Sequence, residues 1–94
     1  MNTQKDYSYY QDSQVLITGG LGFIGSSLAH SLIDYGAHVH LVDSLIPDYG
    51  GNMANIKGIE DRVTIHISDI RDQSVLNSIL DGKDIIFNLV YKFQ

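Results

Sequence analysis

The chain has 94 residues, 44% of them hydrophobic, and a formal charge of −5, which fits one small globular domain and excludes a disordered composition. Six scattered Lys and Arg against eleven Asp and Glu exclude the basic patch on which nucleic-acid binding draws, so no nucleic acid is expected as a partner. With no cysteine, disulfides, thiol catalysis and cysteine-based zinc sites are excluded as well, which fits a cytoplasmic setting.

Residues 1–12, "MNTQKDYSYYQD", lack the basic and apolar regions of a signal peptide and read as a flexible polar tail rich in tyrosine. Residues 13–94 read as the folded part. Val15, Leu16 and Ile17 form a short β-branched run ending at glycines, the signature of a strand buried on both faces. From Phe23 the period changes: Ile24, Leu28, Leu32 and Ile33 recur at helical spacing, and Gly36 is placed to stop the helix as a left-handed cap. "AHVHLVD" gives a second strand ending at Asp43. The following stretch holds Pro47 and Gly50-Gly51, so it reads as a loop with one short helical turn after Asn52. Val63, Ile65 and Ile67 alternate with Thr64 and His66 in a third strand. Asp72 is a helix N-cap, Val75, Leu76, Ile79 and Leu80 line one face, and Gly82 ends that helix. "DIIFNLV" is a fourth buried strand. No apolar run approaches the ~18 residues of a membrane span, so no membrane partner is expected.

The order β-α-β-loop-β-α-β implies right-handed crossovers and an α/β fold with a four-stranded parallel sheet, order 3-2-1-4. It corresponds to a partial, N-terminal half of a Rossmann-like domain.

Gly19, Gly20, Gly22 and Gly25 stand between the first strand and the first helix. Glycine weakens either element by roughly 0.5–1 kcal/mol relative to alanine, so this density needs a reason. A strand, a glycine turn and a helix form the dinucleotide fingerprint: glycines allow the tight turn, the approach of a pyrophosphate and close packing of helix on strand. Both Gly20-x-Gly22-x-x-Gly25 and Gly19-x-x-Gly22-x-x-Gly25 satisfy known spellings. A tight turn with no ligand has the same spelling, but Asp43 adds to the functional reading. It lies 18 residues past Gly25, near the roughly 20 at which an acidic side chain meets the adenosine ribose. A carboxylate there repels a 2′-phosphate and favours NAD over NADP. His30, His38, His40 and His66 lack metal-ligand spacing with a carboxylate partner, so no metal site is expected.

With "TGGLGFIGSSL", Asp43 and "SDIRD", residues 14–89 resemble the N-terminal part of the extended short-chain dehydrogenase/reductases. More narrowly, they resemble the NAD-dependent nucleotide-sugar epimerase/dehydratase family. Thr18 to Ser26 reproduce the family hallmark T-G-x-x-G-x-x-G, which selects the Gly19, Gly22, Gly25 register. The resemblance implies that Phe23 and Ile24 offer backbone amides to the NAD pyrophosphate. It also implies that Asp43, with Ser44 beside it, binds the adenosine ribose, and that Asp69 and Ile70 border the adenine. It gives Asn52, after the second strand, a lesser role in the same loop.

Two departures qualify what the resemblance implies. Val90 and Tyr91 stand where the family carries small residues that leave room for the cofactor. The family's Ser or Thr and Tyr-x-x-x-Lys acid/base pair are absent, since no tyrosine of the chain has lysine four places on. No catalytic residue is therefore assigned. The expectation is the NAD-binding portion of a nucleotide-sugar epimerase or dehydratase, truncated or in an altered frame after Leu89, and not catalytic alone. A nucleotide-sugar substrate enters only if the missing half is supplied. The alternatives are a non-catalytic module for NAD or an adenine nucleotide, and a structural remnant that pairs its sheet edges with another chain.

Overall fold

The computed structural model describes residues 7–44 and 51–89. Strands β1 (Gln14–Thr18), β2 (His38–Asp43), β3 (Val63–Ile67) and β4 (Ile85–Asn88) alternate with helices α1 (Phe23–Asp34) and α2 (Gln73–Leu80). The sheet runs β3-β2-β1-β4 and every pairing is parallel, as the alternation of strands and helices predicts. Val15 sits opposite both Val39 and Ile85, and Val39 opposite Val63. Parallel pairing puts the carboxyl ends of all four strands on one edge, with the reversal of strand order between β1 and β4. That is where open α/β sheets form their ligand crevice.

β1 is central and buried on both faces, which is why its sequence is continuously apolar rather than alternating. On one face Val15, Ile17, Val39 and Leu41 pack with Ala29, Leu32 and Ile33 of α1. On the other, Leu16 and Val42 pack with Ile79 of α2. One expectation about α1 is corrected. Ile24 is not on the buried stripe: it is 71% exposed, whereas Gly25, Ala29, Leu32 and Ile33 face the sheet. The close approach of Gly25 to the turn sets the rotation of the helix, and its neighbour Ile24 lies about 100° away.

The β2–β3 connection carries two short 3-10 turns, Met53–Ile56 and Glu60–Arg62, and no crossover helix among its described residues. Ile56 plugs the α1 face of the core. Asp72 caps α2, its side chain accepting from the N–H groups of Ser74 and Val75. Gly36 (φ +87°) and Gly82 (φ +74°) follow the two helices in the left-handed conformation, the one that glycine adopts without steric cost.

The described part of the segment assigned to a tail is packed. Residues Ser8–Tyr10 form a 3-10 turn, the Tyr7 ring stacks on Tyr35 at 4.2 Å between centroids, and Asp12 donates its N–H to Gly36 O at 2.9 Å. Sequence distance hid this contact, since Tyr35 belongs to the far end of α1. The expectations for Pro47 and Gly50, and for Val90 and Tyr91, fall outside the described residues.

Candidate functional site

The turn from β1 into α1 spends four of its amides on its own architecture. Gly19 and Gly20 donate to Val42 O at 2.8 and 3.2 Å, Gly22 donates to Gly19 O at 3.1 Å, and Leu21 donates to Asp43 Oδ2 at 3.0 Å. These bonds lash the turn to the end of β2. Gly19 takes φ +70°, the left-handed conformation that only glycine adopts freely. A Cβ on Gly20 would lie 2.7 Å from the Leu41 Cβ, and one on Gly25 would collide with Gly19 O. The two competing spellings of the motif are thus both needed: Gly19 turns the chain, Gly20 lets it lie on β2, and Gly25 lets α1 close on the turn.

The first intrahelical bond of α1 closes from Ser26 N–H to Gly22 O at 2.9 Å. The N–H groups of Phe23, Ile24 and Gly25 have no partner among the described residues. The first amides of any helix lack intrahelical acceptors and carry the positive end of its dipole. Here the N-cap is Gly22, which has no side chain to satisfy them. A Cβ at Gly22 would lie 3.3 Å from Gly19 O, tight against the turn's own carbonyl. The Phe23 and Ile24 side chains point to solvent, 79% and 71% exposed, and do not wall off the amides. An anion of phosphate type fits this cradle.

Asp43 ends β2 beside the cradle. Its carboxylate accepts the Leu21 N–H and lies close against Gly51, where a Cβ would come within 2.6 Å of Oδ1. Sequence reasoning saw Gly51 only as a loop glycine; its role against Asp43 has no local signal. Ser44 follows, exposed to solvent. Ser68, past the end of β3, donates its N–H to Asp43 O at 3.1 Å, which brings the "SDIRD" segment to the same edge of the sheet.

Within that segment Asp69 forks with Arg71: Arg71 Nη2 lies 2.6 Å from Asp69 Oδ2 and Arg71 Nε 3.0 Å from both oxygens. The pair is solvent-facing, with side chains 47% and 66% exposed, and such pairs contribute about 0–1 kcal/mol. The helix cap is Asp72, not Asp69. Ile70 turns inward against the cluster of Leu16, Val42 and Ile79. At the switch point between β1 and β4, Thr18 Oγ1 donates to Asn88 Oδ1 at 2.5 Å and accepts the Leu89 N–H at 3.1 Å.

The structure thus joins the glycine turn to Asp43 by a direct hydrogen bond and sets Ser44, Asp69 and Ile70 on the same carboxyl edge. This frame coincides with a known one. A family model described as GDP-mannose 4,6 dehydratase matches residues 16–93. The chain belongs to that family. It is 37% identical over 70 residues to a probable dTDP-glucose 4,6-dehydratase of Sinorhizobium fredii, covering 72% of this chain and 19% of that protein. An epimerase from Methanothermobacter thermautotrophicus superposes with a TM-score of 0.80 at 32% identity, over 93% of this chain and 25% of that one. The Bordetella bronchiseptica enzyme WbmF, solved in complex with NAD+, gives a TM-score of 0.74 at 31% identity, over 87% and 24%. The chain therefore spans about a fifth to a quarter of the length of these epimerases and dehydratases, and matches their N-terminal NAD-binding region.

Proposed function

We propose that the chain binds NAD at the glycine turn as the cofactor-holding part of a nucleotide-sugar epimerase or dehydratase, and does not turn over a sugar alone. The observation that carries this reading is the set of three amides, on Phe23, Ile24 and Gly25, left without partners among the described residues beside Asp43. An acidic chain holds a diphosphate there through main-chain dipoles, with no Lys or Arg in the motif. The NAD+ complex of WbmF, a relative with the same fold at 31% identity, supports the choice of ligand.

In this reading Gly19, Gly22 and Gly25 shape the cradle, and Phe23 and Ile24 donate to the pyrophosphate. Asp43 accepts from the adenosine ribose with Ser44 alongside, and its charge disfavours a 2′-phosphate. Asp69 and Ile70 border the adenine. The Asp69–Arg71 pair is weak and exposed, so Asp69 can exchange it for an adenine donor at little cost. NAD supplies the hydride chemistry in enzymes of this kind. The residues of this chain bind and orient; the acid/base pair that the resemblance implies is not among them.

Isothermal titration of the purified chain with NAD, and separately with NADP, tests the proposal. Saturable binding of NAD, tighter than NADP, is the expected result. No saturation up to millimolar NAD overturns it.

A further inference from the structure

We propose that Asn55 is a positioning residue for the anion-binding turn, acting through the carbonyl of Leu21; the proposal rests on the dinucleotide reading above. Leu21 is pinned on both sides of its Cα. Its N–H goes to Asp43. Its carbonyl accepts the Asn55 Nδ2 donor at 2.8 Å and the Asn52 N–H at 3.0 Å. The Leu21–Gly22 peptide is the last before the cradle, because Gly22 is the N-cap and the unpartnered amides begin at Phe23.

A peptide plane has one soft rotation about its flanking bonds, and turning this one would swing the Leu21 oxygen toward the phosphates. That oxygen is the negative end of a dipole, and it would offset part of the attraction that the amides exert on a diphosphate. The Asn55 amide draws it the other way, into the β2–β3 connection. Asn55 is itself anchored. Its own carbonyl lies 3.3 Å from His30 Nε2 on α1, and the adjacent Ile56 is fully buried in the core. The donor therefore comes from a fixed point of the fold rather than from a swinging loop side chain.

The test compares Asn55→Ala and Asn55→Asp with the wild-type chain. Affinities for NAD, ADP and adenosine are measured by calorimetry or NMR titration, and melting temperatures are recorded alongside. Loss of the donor should weaken NAD and ADP by about tenfold, the effect of one hydrogen bond, and leave adenosine, which has no phosphate, unchanged. Asn55→Asp should be weaker still at pH 7.5, where a carboxylate faces the carbonyl. It should recover toward wild type at pH 5, because a protonated carboxyl again donates and its neighbour favours the protonated form. Equal NAD affinity in wild type and variants overturns this inference alone. So does a loss shared by adenosine and accompanied by a lower melting temperature, which is the mark of a merely structural residue. A wild-type chain that takes up no NAD at all overturns the dinucleotide reading and this inference with it.

Discussion

Leu21 and Asp43 are joined by a 3.0 Å hydrogen bond from a main-chain N–H to a carboxylate oxygen. The bond couples the acid at the end of β2 to the glycine turn, so the two halves of the candidate site keep a fixed relation before any ligand arrives. Preorganisation of this kind lowers the cost of binding, since less ordering remains to be done in the complex.

Asp43→Asn keeps an oxygen that can accept from Leu21 but removes the charge. NAD affinity should fall by roughly ten- to a hundredfold, the worth of a hydrogen bond to a charged group, and the gap between NAD and NADP should narrow. Asp43→Ala also strands the Leu21 N–H, adding about 1–3 kcal/mol of lost stability. Titration with both cofactors and a urea melt separate these effects; unchanged selectivity in the Asn variant would remove Asp43 from the ribose site.

A methyl group on Gly51 would lie 2.6 Å from Asp43 Oδ1, and the easiest relief is for the carboxylate to move. Gly51 does not require a left-handed conformation, so the change carries no such backbone penalty. Gly51→Ala should therefore lower NAD affinity about tenfold, as loss of one hydrogen bond does, with a melting temperature close to wild type. A variant that binds NAD normally would show that the position of the Asp43 carboxylate is not critical.

Gly25→Ala has no such relief. The added carbon meets the Gly19 carbonyl and lies 3.0 Å from the Gly20 Cα, both backbone atoms, so α1 must back away from the turn. Overpacking of this type costs about 1–3 kcal/mol, which corresponds to a fall in melting temperature of roughly 4–8 °C for each kcal/mol in a domain of this size. The same displacement moves the three cradle amides, and NAD binding should be lost together with stability.

The fold was legible because its signals are local and repeated. Val15 to Ile17, the glycines and the helix period of α1 each announce themselves within a few residues, and parallel strands leave few topologies open. The turn was legible for the same reason: glycines spaced at a strand-to-helix junction mark a tight turn and a close approach of helix to strand. Other features needed the tertiary structure. The consumption of the Leu21 amide by Asp43 spans 22 residues and the Asn55–Leu21 bond 34. The outward turn of Ile24 follows from a clash avoided at Gly25, not from any property of isoleucine, whose place in the apolar period suggested burial. Tyr7 carries no local mark of its stack on Tyr35.

His40 offers a prediction about pH. Its Nε2 donates to Gln14 Oε1 at 2.8 Å, and its Nδ1 is buried with no partner among the described residues. Burial, chiefly, and then the nearby charges of Lys83, His66 and His38 hold its pKa below the ordinary 6.5. The imidazole is therefore neutral in the fold, and a proton on Nδ1 would place a buried donor opposite no acceptor. Because the folded pKa is the lower one, the unfolded chain takes up the proton first as pH falls. Stability is whole above pH 6.5 and declines as pH drops from there through the folded value. The wild-type chain should melt a few degrees lower at pH 5 than at pH 7.5, a shift of the size that modest stability changes produce in a small domain. His40→Phe, which cannot titrate and keeps an aromatic ring beside His66 (6.2 Å between ring centroids in the wild-type pair), should lose less over the same interval. Parallel melting curves for the two chains across that pH range would show that His40 does not set the acid limit, leaving the shared carboxylates as its source.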